Sequence, residues 1–207
     1  EANGARNYHV IESSGHSPLA PILEDQTLED QTLEDRTLEA QLSNHAGSLF
    51  LRLASRAPQN GSLNTSASHI QLLGRDISVQ GLYENCVWFD YQNLCCGPRS
   101  QLDYIELANN FDTILLSHVP KLGGEKRSWI KARGTEDGSF GITTTGERQL
   151  SYASEDDGAR RFIALVDELY ERGTQLHIVT DVPLKDLYQG GALEFQFRRT
   201  ISRIWEM

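Results

Sequence analysis

Over residues 1–40 the apolar positions follow no period that a helix or a strand can use. A repeat, Leu23-Glu-Asp-Gln-Thr, Leu28-Glu-Asp-Gln-Thr, Leu33-Glu-Asp-Arg-Thr, Leu38-Glu39, sets leucines five apart. At about 100° per residue such leucines drift around a helix, and in a strand they change faces. The pattern predicts a solvated, acidic and largely disordered segment over residues 1–43, with at most transient helicity. An acidic docking tail is the functional alternative.

The pattern then sharpens. From Asn44 to Ala54, Leu49, Phe50 and Leu53 form the apolar side of a short amphipathic stretch, followed by a Gly, Asn and Ser loop, so residues 44–68 read as an amphipathic stretch and loop ahead of the folded domain. Residues 69–207 read as one α/β domain. Ile70–Leu73 and Asp76–Gln80 flank Gly74-Arg75, a turn between two strands. Val87-Trp88-Phe89-Asp90-Tyr91 is a third β-prone run. Ser100, preceded by Pro98 and followed three residues on by Asp103, predicts a helix N-cap with an acidic capping box, the helix running to about Phe111.

Thr113 to Val119 reads as a buried strand stopped by Pro120. Phe162, Ile163, Val166, Leu169 and Tyr170 recur at helical spacing in Asp156–Arg172. Ser154 and Asp157 suit its start, and Arg172 and Gly173 its end. Leu176–Thr180 follows as a strand. Strand, helix and strand make a βαβ unit with parallel strands and a right-handed crossover. Residues 121–155, rich in Gly, Lys, Arg and Thr, read as a surface insertion in that crossover. Leu193–Phe197 is predicted as a last short strand, and Arg198–Trp205 as the start of a terminal helix.

Charge changes this picture in one place. The formal charge is −10, and Glu24, Asp25, Glu29, Asp30, Glu34, Asp35 and Glu39 against Arg36 supply −6 of it. An acidic chain argues against a general nucleic-acid binder, which needs clustered Lys and Arg. Three cysteines, Cys86, Cys95 and the adjacent Cys96, do not make a disulfide framework and suit a reducing compartment. No apolar run approaches a membrane span, and no signal peptide opens the sequence. The lone methionine is Met207, so the sequence is expected to be a piece of a longer protein.

Motifs for common chemistries are missing from the 207 residues. There is no Gly-x-x-x-x-Gly-Lys-Ser/Thr to cradle phosphates, no Gly-x-Gly-x-x-Gly, no His-Glu-x-x-His and no Gly-x-Ser-x-Gly. Gly123-Gly124-Glu125-Lys126 has the wrong spacing and an acid in the wrong place. Val87-Trp88-Phe89-Asp90 is similar to a strand that holds Mg²⁺ in P-loop enzymes but lacks the following Glu, so an ordinary strand with a polar end is the simpler reading. The cysteines read as buried thiols, and His118 and His177 as hydrogen-bonded histidines of strands. Thr180-Asp181 falls at the carboxyl end of a parallel strand, where α/β proteins place ligands. Arg160 and Arg161 read as local ion pairs with Glu155, Asp156 and Asp157, or as arginines reaching a phosphate or a neighbouring subunit. Arg198, Arg199 and Arg203 read as a partner-binding cluster or as balance for the acidic surface.

Taken in order, these segments resemble a known family. Gly74-Arg75, Val87-Trp88-Phe89-Asp90-Tyr91-x-x-Leu94-Cys95 and Pro98-Arg99-Ser100-Gln101-x-Asp103-Tyr104-Ile105 open the match. Ala159-Arg160-Arg161-Phe162-Ile163-Ala164-Leu165-Val166-Asp167-Glu168-Leu169-Tyr170 is its densest part, and Val182-Pro183-Leu184, Leu187-Tyr188-Gln189-Gly190 and Phe197-Arg198-Arg199-Thr200-x-Ser202-Arg203 close it. The pattern resembles the C-terminal region of the ZapE-type, AFG-like ATPases, a branch of the AAA-type P-loop enzymes, over roughly residues 73–207. The resemblance implies an intact protein that binds ATP and Mg²⁺, hydrolyses ATP and forms a homo-oligomer. It also implies a cytoplasmic protein working with the bacterial cell-division machinery at the inner face of the membrane. The Walker motifs of that family have no counterpart here, so this chain alone is expected to be inactive. Arg160 and Arg161 match the family's paired arginines. A non-enzymatic module that docks onto a division or membrane-associated partner is the alternative.

Overall fold

A computed structural model describes residues 8–10, 27–55, 69–124, 127–128, 151–152 and 156–207. In chain order its elements are β1 (Tyr8–Val10), α1 (Thr27–Ala54), β2 (His69–Leu72), β3 (Arg75–Ser78), β4 (Gly81–Tyr83), β5 (Cys86–Asp90), α2 (Tyr91–Cys95) and α3 (Gln101–Asn110). There follow β6 (Thr113–Ser117), β7 (Leu122–Gly123), β8 (Arg127–Ser128), β9 (Ser151–Tyr152), α4 (Asp156–Arg172), β10 (Gln175–Thr180), β11 (Tyr188–Gln189) and α5 (Glu194–Glu206).

The main sheet has the order β1-β10-β6-β5-β4. β1, β10, β6 and β5 are parallel, and β4 is an antiparallel edge. The crossovers β5-α3-β6 and β6-α4-β10 step across the sheet in one direction. Crossovers of one hand moving one way put their helices on one face, and α3 and α4 do pack against each other. The expected βαβ unit is therefore present, and α4 has the bounds its apolar period predicted.

Alternation along the strands divides the sheet between two cores. Val87, Phe89, Ile114, Leu116, Leu176 and Ile178 face the larger core, with Leu107 of α3, Phe162, Leu165, Val166 and Leu169 of α4, and Phe197 and Ile204 of α5. Cys86, Leu115 and Val179 face the opposite way, with partly buried Trp88, and meet Leu42, Ala46, Leu49, Phe50 and Ala54 of α1. Each buried large apolar side chain contributes about 1.5–3 kcal/mol before chain entropy is set against it.

Three expectations need correction. Residues 1–43 are not uniformly without structure. Tyr8–Val10 pairs with Ile178–Thr180 as an edge strand, and a single helix begins at Thr27 and runs through residues 43 and 44, where a boundary was expected. The strand is made by backbone pairing with a partner 170 residues away, which local composition does not encode. The helix forms because its second half is anchored on the sheet, and an anchored helix extends easily through Leu, Glu and Gln, which are good helix formers. The second correction is at Leu193–Phe197, which is not a strand. α5 starts at Glu194, with Phe197, Thr200, Arg203 and Ile204 buried at helical spacing. Leu193, Phe195 and Phe197 alternate in sequence as a strand's apolar residues do, but Leu193 and Phe197, four apart, are buried while Phe195 between them is 85% exposed, which is the helical spacing. Thirdly, the β2–β3 turn is Leu73-Gly74, one residue earlier than expected, with φ +50° and +74°. Positive φ at both central residues is the twist that a two-residue hairpin needs, and only Gly adopts it without strain. The Ser154 cap and most of the 121–155 insertion lie outside the described residues.

Candidate functional site

The quoted motif residues fall mainly into one structural lock. Arg75 donates to the Pro98 carbonyl (3.0 Å) and pairs with Asp103. Asp103 is buried and accepts from the Ser100 N–H (2.6 Å), as the predicted capping box requires, and also from the Ser100 hydroxyl (2.8 Å). Burial pushes the Asp103 carboxyl up, but the Ser100 bonds and Arg75 outweigh it and hold it below its ordinary value. Gln101 donates to Glu168 of α4 (2.5 Å), and Tyr104 to the Leu94 carbonyl (3.1 Å). These residues hold α2, α3 and α4 in place.

The candidate arginines separate. Arg161 is partly buried and donates to the Cys95 carbonyl (3.2 Å), stitching α4 to the end of α2. Arg160, its neighbour, is exposed. Arg203 is buried. It pairs with Asp167 and Glu171 of α4 and stacks over the Tyr170 ring at 5.0 Å. The expected cluster of Arg198, Arg199 and Arg203 therefore does not form one surface, because helical spacing turns Arg203 inward while Arg198 and Arg199 stay exposed. Arg198 also edges a cavity of about 180 Å³ with Lys185, Tyr188 and Glu194.

Cys86 and Cys95 are buried reduced thiols, as expected, whereas Cys96 is exposed. Burial raises the Cys86 thiol to about 11 and holds Cys95 well above its ordinary value, so neither is poised as a nucleophile. Thr180 donates to the Val119 carbonyl (2.7 Å) and accepts from the Val182 N–H (3.1 Å). Its place at a strand end serves the backbone.

A different group converges at the carboxyl ends of β5 and β6. Asp90 ends β5 and caps α2, one carboxylate oxygen accepting from the Gln92 N–H (2.8 Å). Its other oxygen meets His118 Nδ1 at 2.7 Å, and His118 Nε2 lies 3.0 Å from Ser43 Oγ of α1. His118 follows β6 directly, so the parallel pairing of β5 with β6 places it beside Asp90. Its φ is +55°, a left-handed conformation costing about 1–2 kcal/mol for a residue with a Cβ. The hydrogen bond that the ring donates to Asp90 raises its pKa most. Partial burial opposes this, and the Asp90 charge and the Glu39 carbonyl and charge reinforce it.

The group opens into a cleft of about 520 Å³. Arg36, Glu39, Ala40 and Ser43 of α1 form one wall, and Asp90, Gln92, His118 and Pro120 the other. Sequence reasoning marked Asp90 and His118 separately and missed their pairing. The one available signal was that each directly follows a β-prone run, and adjacent parallel strands bring such residues together.

Ser43, His118 and Asp90 have the distances of a hydrolytic triad without its surroundings. Ser43 lies inside a regular helix, where the backbone N–H groups already bond to carbonyls four residues back, so none is free to stabilise an oxyanion. A histidine with a raised pKa is also a poorer proton acceptor at neutral pH. Nor do these residues fit the ATP and Mg²⁺ that the resemblance implies. Both Asp90 oxygens already have partners, and no glycine stands among the described residues that line the cleft. Among the described residues no three His, Cys, Asp or Glu side chains converge as metal ligands. The cleft can bind and position, and it can respond to protons.

Comparison with known proteins gives a consistent result. A family profile described as "AFG1-like ATPase" matches residues 25–132 and 145–207. "Cell division protein ZapE" of Escherichia coli (strain K12) is 32% identical over 147 residues, covering 71% of this chain and 32% of that protein. "Lactation elevated protein 1 homolog B" of Danio rerio is 27% identical over 150 residues, covering 72% of this chain and 23% of that protein. The chain thus spans about a third or less of the length of these relatives. No solved structure matches it.

Proposed function

This chain belongs to the AFG1-like ATPase family, and from that membership we propose that it serves a ZapE-like, ATP-hydrolysing protein as a region outside the phosphate-binding core, and that alone it does not turn over ATP. One combination carries the reading: a family match over most of the chain, in a sequence without Gly-x-x-x-x-Gly-Lys-Ser/Thr. In this reading the intact protein binds ATP and Mg²⁺, assembles as a homo-oligomer and works with the cell-division machinery in the cytoplasm, peripherally at the inner membrane face. Likeness to a protein named for cell division supports that assignment, and no helix among the described residues is long and apolar enough to cross a membrane. Arg160, exposed beside the inward Arg161, is the candidate contact to nucleotide or a neighbouring subunit.

ATP hydrolysis by the purified chain tests the proposal. We expect no phosphate release above buffer. Turnover that stays with the chain through successive chromatographic steps, at constant specific activity, would sink it.

One observation favours a second reading, a non-enzymatic binding module. α5 turns Phe195, Arg198 and Arg199 to solvent together, an aromatic and basic face suited to a protein partner. The coding sequence immediately upstream separates the two. An in-frame phosphate-loop motif supports the ATPase reading, and a stop codon followed by a promoter supports the module.

A further inference from the structure

We infer that the exposed face of α5 is a seat for a second copy of this chain, filled by the acidic first half of that copy's α1. On the binding-module reading the α5 face is an interface, and the proposed contact rests on that reading alone. α5 turns Phe195, 85% exposed, to solvent, with Arg198 and Arg199 three and four positions on, one turn away on the same side. Neither arginine makes an ion pair among the described residues, whereas Arg203, on the buried side of the helix, pairs with Asp167 and Glu171. Two such cations beside an exposed aromatic ring are a local exception in a chain of formal charge −10.

The acidic repeat supplies the matching half. Leu33 of α1 follows Asp30 and Glu29 by three and four positions, so an apolar residue again has two like charges one turn away, of the opposite sign. At about 100° per residue Leu33 falls half a turn from Leu42, on the side of α1 opposite the stripe of Leu38, Leu42, Ala46 and Leu49 that packs on the sheet. In α1 the charges precede the apolar residue, and in α5 they follow it. Two helices laid antiparallel, with Leu33 against Phe195, therefore bring Glu29 and Asp30 alongside Arg198 and Arg199. Glu34 and Glu194, the like charges nearest this line, fall on opposite flanks of it.

The two helices that match belong to different copies because of where they sit. α1 packs on one face of the main sheet, and α5 packs on α4 at the other. The sheet stands between them, so α1 and α5 of one copy do not lie side by side. Charge complementarity selects α1 in particular. Seven acids from Glu24 to Glu39 against Arg36 supply −6 of the formal −10. Acidic positions 30 and 34, and 35 and 39, stand one turn apart in α1, where like charges destabilise a helix. Cations brought alongside relieve that repulsion. Contact of Leu33 with Phe195 adds apolar burial, which exposed ion pairs alone do not give.

Analytical ultracentrifugation of the full 207-residue chain over a range of concentrations, at low and high salt, tests the contact. The chain should associate as concentration rises, and salt at about 0.5 M should weaken association about tenfold. Arg198→Glu with Arg199→Glu should weaken it by about tenfold or more, and so should Glu29→Lys with Asp30→Lys. The two charge-reversed proteins, mixed, should associate again, because each carries the half that the other needs. Circular dichroism confirms that each variant is folded. Should a reversal fail to fold, Phe195→Ala decides, since it leaves every charge in place and should still weaken association. A chain that stays monomeric at low salt, association that ignores both the arginine reversal and Phe195→Ala, or reversed proteins that do not associate when mixed would overturn the proposal. None of these results bears on ATP turnover. A monomeric chain whose α5 face binds another protein overturns the second copy as occupant and leaves the binding-module reading standing.

Discussion

The two faces of the central sheet follow one rule of alternation and end in different states. On the α3/α4/α5 side the helices meet in a buried apolar core, with Phe162 stacked on Phe197 at 5.9 Å and Phe197 on Tyr188 at 4.9 Å. Polar locks, Arg75–Asp103, Gln101–Glu168 and Arg203–Asp167, fasten its edges. On the α1 side one helix rests on a smaller cluster that runs from Leu38 to Ala54, and a polar contact from Ser43 to His118 lies at the rim of a cleft. The lesson is that apolar alternation decides which residues are buried. The number and kind of edge contacts decide whether a face can open on its own.

Large-to-small changes test that contrast most strongly. Phe162→Ala should destabilise the whole domain by about 3–5 kcal/mol, seen as a shifted single transition in urea. Phe50→Ala, also a buried ring, at 5.9 Å from Trp88, should instead lower hydrogen-exchange protection in α1 and leave α4 protected. If both variants shift one global transition equally, the two faces are a single cooperative unit and the contrast fails.

Charge should sharpen the comparison with smaller effects. Asp103→Ala leaves the Ser100 N–H and Arg75 without their acceptor and should cost about 1–3 kcal/mol. Because the folded Asp103 pKa is lowered, its stabilisation is present above the unfolded value and is lost as pH falls through the folded one. Acid should thus loosen the α3/α4 side through Asp103. Thermal unfolding of wild type and Asp103→Ala from pH 2 to 6 checks this, the two curves converging at the acid end.

The smallest effect belongs to the exposed arginines. Arg199→Ala should change stability by less than about 0.5 kcal/mol in urea unfolding, since the side chain lies on a solvated helix face. A larger loss would mean that α5 relies on it for packing.

Legibility followed the range of the interactions. The bounds of α4, the capping box of α3 and the β6-α4-β10 unit were readable because periodicity and caps are local. The start of α5 was misread, since Leu193, Phe195 and Phe197 suit a strand and a helix alike and only the buried Arg203 and Ile204 further on decide between them. β1 was invisible, as three residues joining an edge have no period. The cleft was visible only as separate parts.

By itself the sequence determined the α/β class, the order of the main elements, the family resemblance and the lack of a phosphate loop. Each is a matter of residue type at short spacing. Only the tertiary structure decided that Arg203 turns inward while Arg198 and Arg199 do not. It also decided that the acidic repeat continues into a helix across the sheet, and that Asp90, His118 and Ser43 meet. Those three residues are separated by 28 and 47 or more positions in the chain. What joins them is the parallel register of β5 with β6 and the packing of α1 above, and neither is encoded next to the residues they bring together.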